Sequence, residues 1–310
     1  MSYQPGQRKP RGSSLLRHRS DRRTLAYLAA TALVLAVNWS SGRVHPVLYP
    51  LQLFLFFTAA VISHNHNHVS IWRSRAANVV TSYVIALFYG YPAVAWVPTH
   101  NQVHHKLNNR PGDSSRSPKL FRGNHLLALL VYPTLTSALQ TRDIQAFLRD
   151  LWRRDRAAFW SAASEYLVFF GIMVAAFAVD WRRALLFLLI PQQAALFAIQ
   201  VVNFLQHVET DSYSQWDHSR NFVSPLLNAL LFNNGYHTVH HMKPGVHWSL
   251  LPALDAEHRA RIDPSLRVRS LFGYLGYTYL VRPFTPGRPG RALGLAAGAL
   301  PTPPPPRASS

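Results

Sequence analysis

Hydrophobic residues in this chain fall in blocks whose length suits the thickness of a bilayer better than the core of a soluble domain. Thr24 to Trp39 and Pro46 to Ser63 are apolar, and only Ser40 to His45 separates them, so they read as a tight helical hairpin that returns the chain to its starting side. Ala157 to Val179 and Ala184 to Gln206 form a second pair around a charged turn, Asp180 to Arg183. Glu165 lies inside the first of these blocks, placed near the interface or packed against a partner, and Pro191, Gln192 and Gln193 lie inside the second. Four spans, at about 24–39, 46–63, 157–179 and 184–206, are therefore predicted.

Two other apolar stretches break this pattern. Residues 77–98 are interrupted by Gly90, Pro92 and Pro98, and a full crossing there would carry the histidines that follow to the far side of the hydrocarbon from His64. Residues 126–139 are too short to cross and read as an amphipathic lid or interfacial helix, with His125 at its start a surface histidine. The expected fold class is an all-α integral membrane protein: four transmembrane helices, interfacial helices and a cytoplasmic histidine-rich cap. Residues 1–23 form a basic cytoplasmic arm, 24–283 the membrane domain, and 284–310 a Pro/Gly-rich tail; arm and tail are expected to be disordered.

The charge changes the picture in one respect. A net charge of +19 suggests nucleic acid until the positions are read: with this topology 29 of the 32 lysines and arginines fall on one side, which is the positive-inside asymmetry of a membrane protein, and no nucleic-acid motif accompanies them. Both termini and the histidine-rich segments are then cytoplasmic. Cysteine is absent, so any metal must be held by nitrogen and oxygen.

The candidate chemistry lies in histidines clustered beside the apolar blocks. His64 and His68 are an i, i+4 pair, and His66 between them faces the opposite side of a helix. His100, His104 and His105 form a second cluster, and His237, His240 and His241, on one face of a helix starting near Tyr236, form a third. Asn203 and His207 share a face at the end of the last span. Nine imidazoles, with Asn203 adding an oxygen, exceed one metal's coordination but suit two, each with four or five protein ligands and an open position. Asp217, Glu209 and Asp211 are candidates to orient ligand rings, while His218, His247 and His258 read as outer or surface residues, and Trp216, Trp248 and Tyr236 as packing or interfacial anchors. Asn234 and Gly235 shape the approach to the third cluster.

These residues resemble the membrane fatty-acid desaturase and hydroxylase superfamily, whose three histidine boxes surround a di-iron centre on four transmembrane helices. The boxes are matched here by His64 and His68, by His100, His104 and His105, and by His237, His240 and His241. Asn203 and His207 look like the Asn-x-x-x-His pair that stearoyl-CoA-type desaturases carry before the third box. The resemblance covers roughly 24 to 255 and departs from the family at His66 and at Gln206 to Thr210. It implies two iron ions, O2 as co-substrate, and desaturation of a fatty acyl chain carried on CoA, a carrier protein or a membrane lipid. A lipid or alkane hydroxylase on the same scaffold is the alternative, and a histidine-rich metal transporter a more distant one. No His-Pro-Gly-Gly haem motif is present, so the resemblance further implies a separate electron donor such as ferredoxin, rubredoxin or cytochrome b5.

Overall fold

The computed structural model describes residues 15–117 and 123–285; most of the predicted basic arm and proline-rich tail, at 1–14 and 286–310, lies outside the described residues. Helix dominates, as the 3.6-residue patterning requires. The elements in order are α1 (Asp21–Ser41), α2 (Leu48–His68), α3 (Arg75–Tyr89), α4 (Ala93–Leu107), α5 (Leu126–Arg154), α6 (Arg156–Ala184) and α7 (Ile190–His207). Four short helices follow, α8 (Pro225–Leu230), α9 (His237–Met242), α10 (Leu251–His258) and α11 (Leu271–Gly276). A parallel pair, β1 (Asn221–Phe222) and β2 (Arg267–Val268), with Asn221 opposite Arg267, is all the sheet among the described residues.

By length and apolarity two stretches qualify to cross a membrane, Asp21–Ser41 and Arg156–His207, and a third does so if α3 and α4, bent by 90°, count as one broken span. Arg156–His207 is not one rod. Asp180 is extended (φ −156°, ψ 97°), and its carboxylate accepts from the N–H groups of Arg182 and Arg183, capping a new helix start. Beyond that break Gln192 reaches back to Met173 Sδ, so α6 and α7 pack antiparallel.

α2 is the central helix, with Phe56, Ala59, Ala60 and Ile62 sealed against Ile85 of α3 and Ala195 and Ile199 of α7. One polar network crosses this apolar packing. Between Leu185 and Leu189 the backbone widens to i→i+5 turns, and α2 side chains meet its carbonyls: Tyr49 Oη donates to Leu186 O (2.9 Å) and Gln52 Nε2 to Phe187 O (2.5 Å). Gln52 Oε1 in turn accepts from Asn38 Nδ2 of α1 (2.6 Å).

Residues 77–98 are bent by 90° rather than straight. The chain bends at Gly90 (φ +93°), where a Cβ would stand 2.5 Å from Gln192 Cβ, and Glu165 Oε2 of α6 accepts from Val94 N (2.8 Å) at the start of α4. Glu165 thus satisfies a backbone donor that the bend exposes.

Two boundaries differ from those expected. The helix at 126–139 continues to Arg154, because nothing between Leu139 and Arg154 breaks a helix and its arginines there stay exposed; His125 caps it, Nδ1 accepting from Ala128 N (3.2 Å). Residues 15–20 of the basic arm pack on the fold. Leu16 bridges to Trp72, Arg17 N donates to Ile71 O (2.9 Å), and α1 starts at Asp21 rather than Thr24. Asp21 accepts from Trp248 Nε1 and lies 3.2 Å from His247 Nε2, which pins the arm under the segment after the third histidine cluster.

Candidate metal centre

The last turn of α2 presents His64 and His68 together, their rings in edge contact at 4.8 Å. His66 points elsewhere, as its position on the helix requires, and its Nδ1 accepts from Ile71 N (3.4 Å).

α4 contributes its histidines through a local change of helix type. From Val97 to His104 the turns are i→i+5, and His105 N bonds to His100 O. An α-helix would put residue i+5 about 140° round the axis. The wider turn instead lays His105 over His100, with the two Nε2 atoms 3.0 Å apart.

The third cluster is placed by a tight crossing. At Gly235 a Cβ would lie 2.0 Å from Phe222 O and 2.7 Å from Asn228 Oδ1, so only glycine passes, and Phe222 N donates to Gly235 O (3.0 Å). Thr238 N then donates to Asn221 Oδ1 (2.9 Å), which fixes the start of α9 on β1. His237, His240 and His241 follow from this seat.

All nine sequence-predicted imidazoles converge, in two groups. His64, His68, His100, His105 and His240 form one; His104, His207, His237 and His241 form the other; within each, one ring nitrogen per residue lies within 4.8 Å of the rest. In the first group Nε2 of His64 is 3.0 Å from Nε2 of both His100 and His240. In the second, His207 Nε2 is 3.0 Å from His104 Nε2 and 2.9 Å from His237 Nε2.

These groups fit a bound cation. An octahedral metal with imidazole nitrogens at about 2.1 Å has N···N edges of about 3.0 Å. Several ring nitrogens are buried without a hydrogen-bond partner, among them His68 Nε2, His105 Nδ1 and both nitrogens of His241. The donors of the third cluster are also in the right protonation state. Burial, and then repulsion from neighbouring imidazoles, holds His237, His240 and His241 well below the ordinary histidine value, leaving them neutral with lone pairs available.

The carboxylate that touches one of the grouped rings was not among those expected. Glu209 is engaged by Arg282 in a two-pronged ion pair, Asp217 accepts from Asp263 N, and Asp211 serves its own turn. Asp113 instead lies 2.8 Å from His104 Nδ1, with Ser115 Oγ 2.9 Å from the same nitrogen. Burial would raise the Asp113 carboxyl, but the charge and hydrogen bond of His104 and the bonds from Ser115 outweigh it and hold it below the usual carboxylate range. The signal in the sequence was the Pro111-Gly112 turn shortly after His105, which folds the loop back onto the second box.

Other placements are as follows. Asn65 Oδ1 meets His64 Nδ1 (3.1 Å). His218 orients through its main chain, its carbonyl lying 3.3 Å from His207 Nδ1, while its ring sits 5.6 Å from that of His241. Trp216 packs on His258 and under Arg261, and Trp248 on Phe232 and Arg23. Asn203 donates to Tyr132 Oη (2.7 Å) and lines a narrow cleft with His64, His100 and His237. Trp96, Gln140 and Gln200 line this cleft and also a larger cavity of about 820 Å³ between α5, α6 and α7, so a path leads from apolar interior to imidazoles.

Apolar helices beside two adjacent groups of converging imidazoles, each able to hold a metal ion, mark a membrane protein. The family model described as fatty acid desaturase matches residues 41–272, three quarters of the chain, and the protein belongs to that family. Comparison with curated proteins finds none that matches it.

Proposed function

We propose that this protein introduces a double bond into a fatty acyl chain, using O2 at a di-iron centre held by the nine histidines. The observation that carries this reading is the division of the imidazoles into groups of five and four beside a long apolar cavity. Five ligands leave one octahedral position open and four leave two, as a catalytic site requires. Two irons would supply the oxidising chemistry for an unactivated C–H bond.

The chain's own residues do the rest by position. The imidazoles fix the place of oxidation at the end of the cavity, Asp113 and Asn65 hold ligand rings in orientation, and Asn203 places a carboxamide in the cleft where it can add an oxygen ligand. Phe169, Met173, Leu189 and Leu196 provide walls that exclude water and align a methylene chain.

α1, α2, α6 and α7 are proposed as four spans, with the histidine-bearing segments and both termini cytoplasmic, as the distribution of Lys and Arg supports. Electrons come from a separate acidic carrier of the ferredoxin, rubredoxin or cytochrome b5 kind. Lys106 and Lys243, exposed beside His105 and His241, suit its docking.

The test is lipid mass spectrometry of cells expressing the protein, with metal analysis of the purified enzyme. Acyl chains lighter by two hydrogens and about two irons per chain are expected. Chains heavier by one oxygen would overturn desaturation in favour of hydroxylation.

A further inference from the structure

The cavity of about 820 Å³ ends inward at Gly90, Gln192 and Met173, and reaches the metal centre past Trp96, Gln140 and Gln200. One side is not closed by protein. On α5, Thr134, Ser137, Ala138 and Thr141 recur at helical spacing, line the cavity and remain exposed. On the facing helices Phe170, Gln193 and Phe197 do the same.

The last three residues stand more than two helical turns, about 11 Å, from Arg156, from the break at Asp180 and from His207. At that depth in an apolar helix pair, exposure means contact with hydrocarbon. Gln193 is notable there, since a carboxamide facing lipid is unfavourable and polar groups within membranes mark pathways rather than packing. The side chains that α5 presents to this gap are small.

We infer that this gap is a lateral portal, and that the substrate is an acyl chain still esterified in a bilayer lipid rather than a thioester delivered from water. Withdrawing a long acyl chain from hydrocarbon into water costs free energy with every methylene, so a lipid-borne chain must slide in sideways. A soluble thioester has no use for an opening into hydrocarbon. The inference rests on the desaturase reading for what happens at the imidazoles, but not for how the chain arrives.

The test uses the full chain in nanodiscs and photo-crosslinking, which needs no bound metal and no turnover. In one arm the phosphatidylcholine carries a diazirine in mid-chain; in the other the same diazirine chain is added from water as its CoA thioester. Labelling is read at the buried wall residues Phe169, Met173 and Gln192, which bulk lipid does not touch. The phospholipid is expected to label them and the thioester not. Ala138→Trp and Gln193→Trp, which fill the gap from either side, should abolish most of that labelling, whereas Leu167→Trp, exposed on α6 outside the cavity lining, should leave it unchanged.

Labelling of the buried wall by the thioester but not the phospholipid, or phospholipid labelling indifferent to both gap-filling variants, overturns the portal. Absence of wall labelling by either probe overturns it as well. If the phospholipid labels the wall but the iron-loaded protein with an electron donor oxidises no chain, the portal stands and the desaturase reading falls; desaturation of the thioester alone leaves the reverse.

Discussion

Asp113 Oδ2 lies 2.8 Å from Nδ1 of His104, with both side chains almost sealed from solvent. A carboxylate in this position fixes which nitrogen of the ring faces the metal and increases its basicity. Asp113→Ala is expected to lower iron affinity or turnover about 10–100-fold, and Asp113→Asn to keep the loop while losing part of that effect. Iron content after dialysis against a graded chelator checks this; full retention in Asp113→Ala would make the contact incidental.

His66 and His241 are close in type and opposite in expected consequence. His241 stands with three other imidazoles, whereas His66 makes its hydrogen bonds to backbone outside both groups. His241→Ala should abolish turnover with membrane insertion intact, and His66→Gln should keep most activity. Paired lipid profiles and membrane fractionation of the two variants decide it, and an active His241→Ala would remove that residue from the ligand set.

The third cluster makes the metal-free protein sensitive to acid. His237, His240 and His241 resist protonation in the fold, while in the unfolded chain they take protons near 6.5. Below that pH the unfolded state binds more protons, so stability is lost as pH falls, by about 1.4 kcal/mol per pH unit for each such residue. Thermal unfolding of the chelator-treated protein in detergent between pH 8 and 5 should show a falling midpoint; a midpoint that rises toward pH 5 would contradict the neutral imidazoles.

Gln52→Leu would strip a partner from both Phe187 O and Asn38 Nδ2 inside the helix core. Asn38 Nδ2 keeps only its long bond to Leu48 O (3.4 Å), and weakening the pairing of buried polar groups in this way costs about 1–3 kcal/mol. A lower thermal midpoint is expected with the iron content unchanged, since the network lies at the opposite end of α2 from His64.

Gly235→Ala tests the seat of the third cluster. Its Cβ would overlap Phe222 O and Asn228 Oδ1, both fixed parts of the fold, so β1 and α9 must separate. Loss of iron binding is expected with α1 to α7 still inserted, measured as metal content and protease resistance of the membrane domain. Normal iron binding would show that the crossing tolerates a side chain.

Sequence by itself determined which histidines would cluster and what lies around them. Helical spacing put His64 with His68 and set His66 apart, the apolar blocks placed the first cluster at a helix end, and the lack of cysteine left nitrogen and oxygen as the donors, because these are local properties that periodicity and composition record. The break of Arg156–His207 was likewise legible in the charged turn at Asp180. Only tertiary structure decided the rest. That His105 lies over His100 depends on an i→i+5 turn, which the letters of an α-helical motif do not announce. Asp113 rather than Glu209, Asp211 or Asp217 touches a clustered imidazole because a loop folds back on His104, and the division of imidazoles into five and four depends on how α2, α4, α7 and α9 meet. Contacts between residues far apart in the chain are set by packing and backbone hydrogen bonding across elements, and no local pattern carries them.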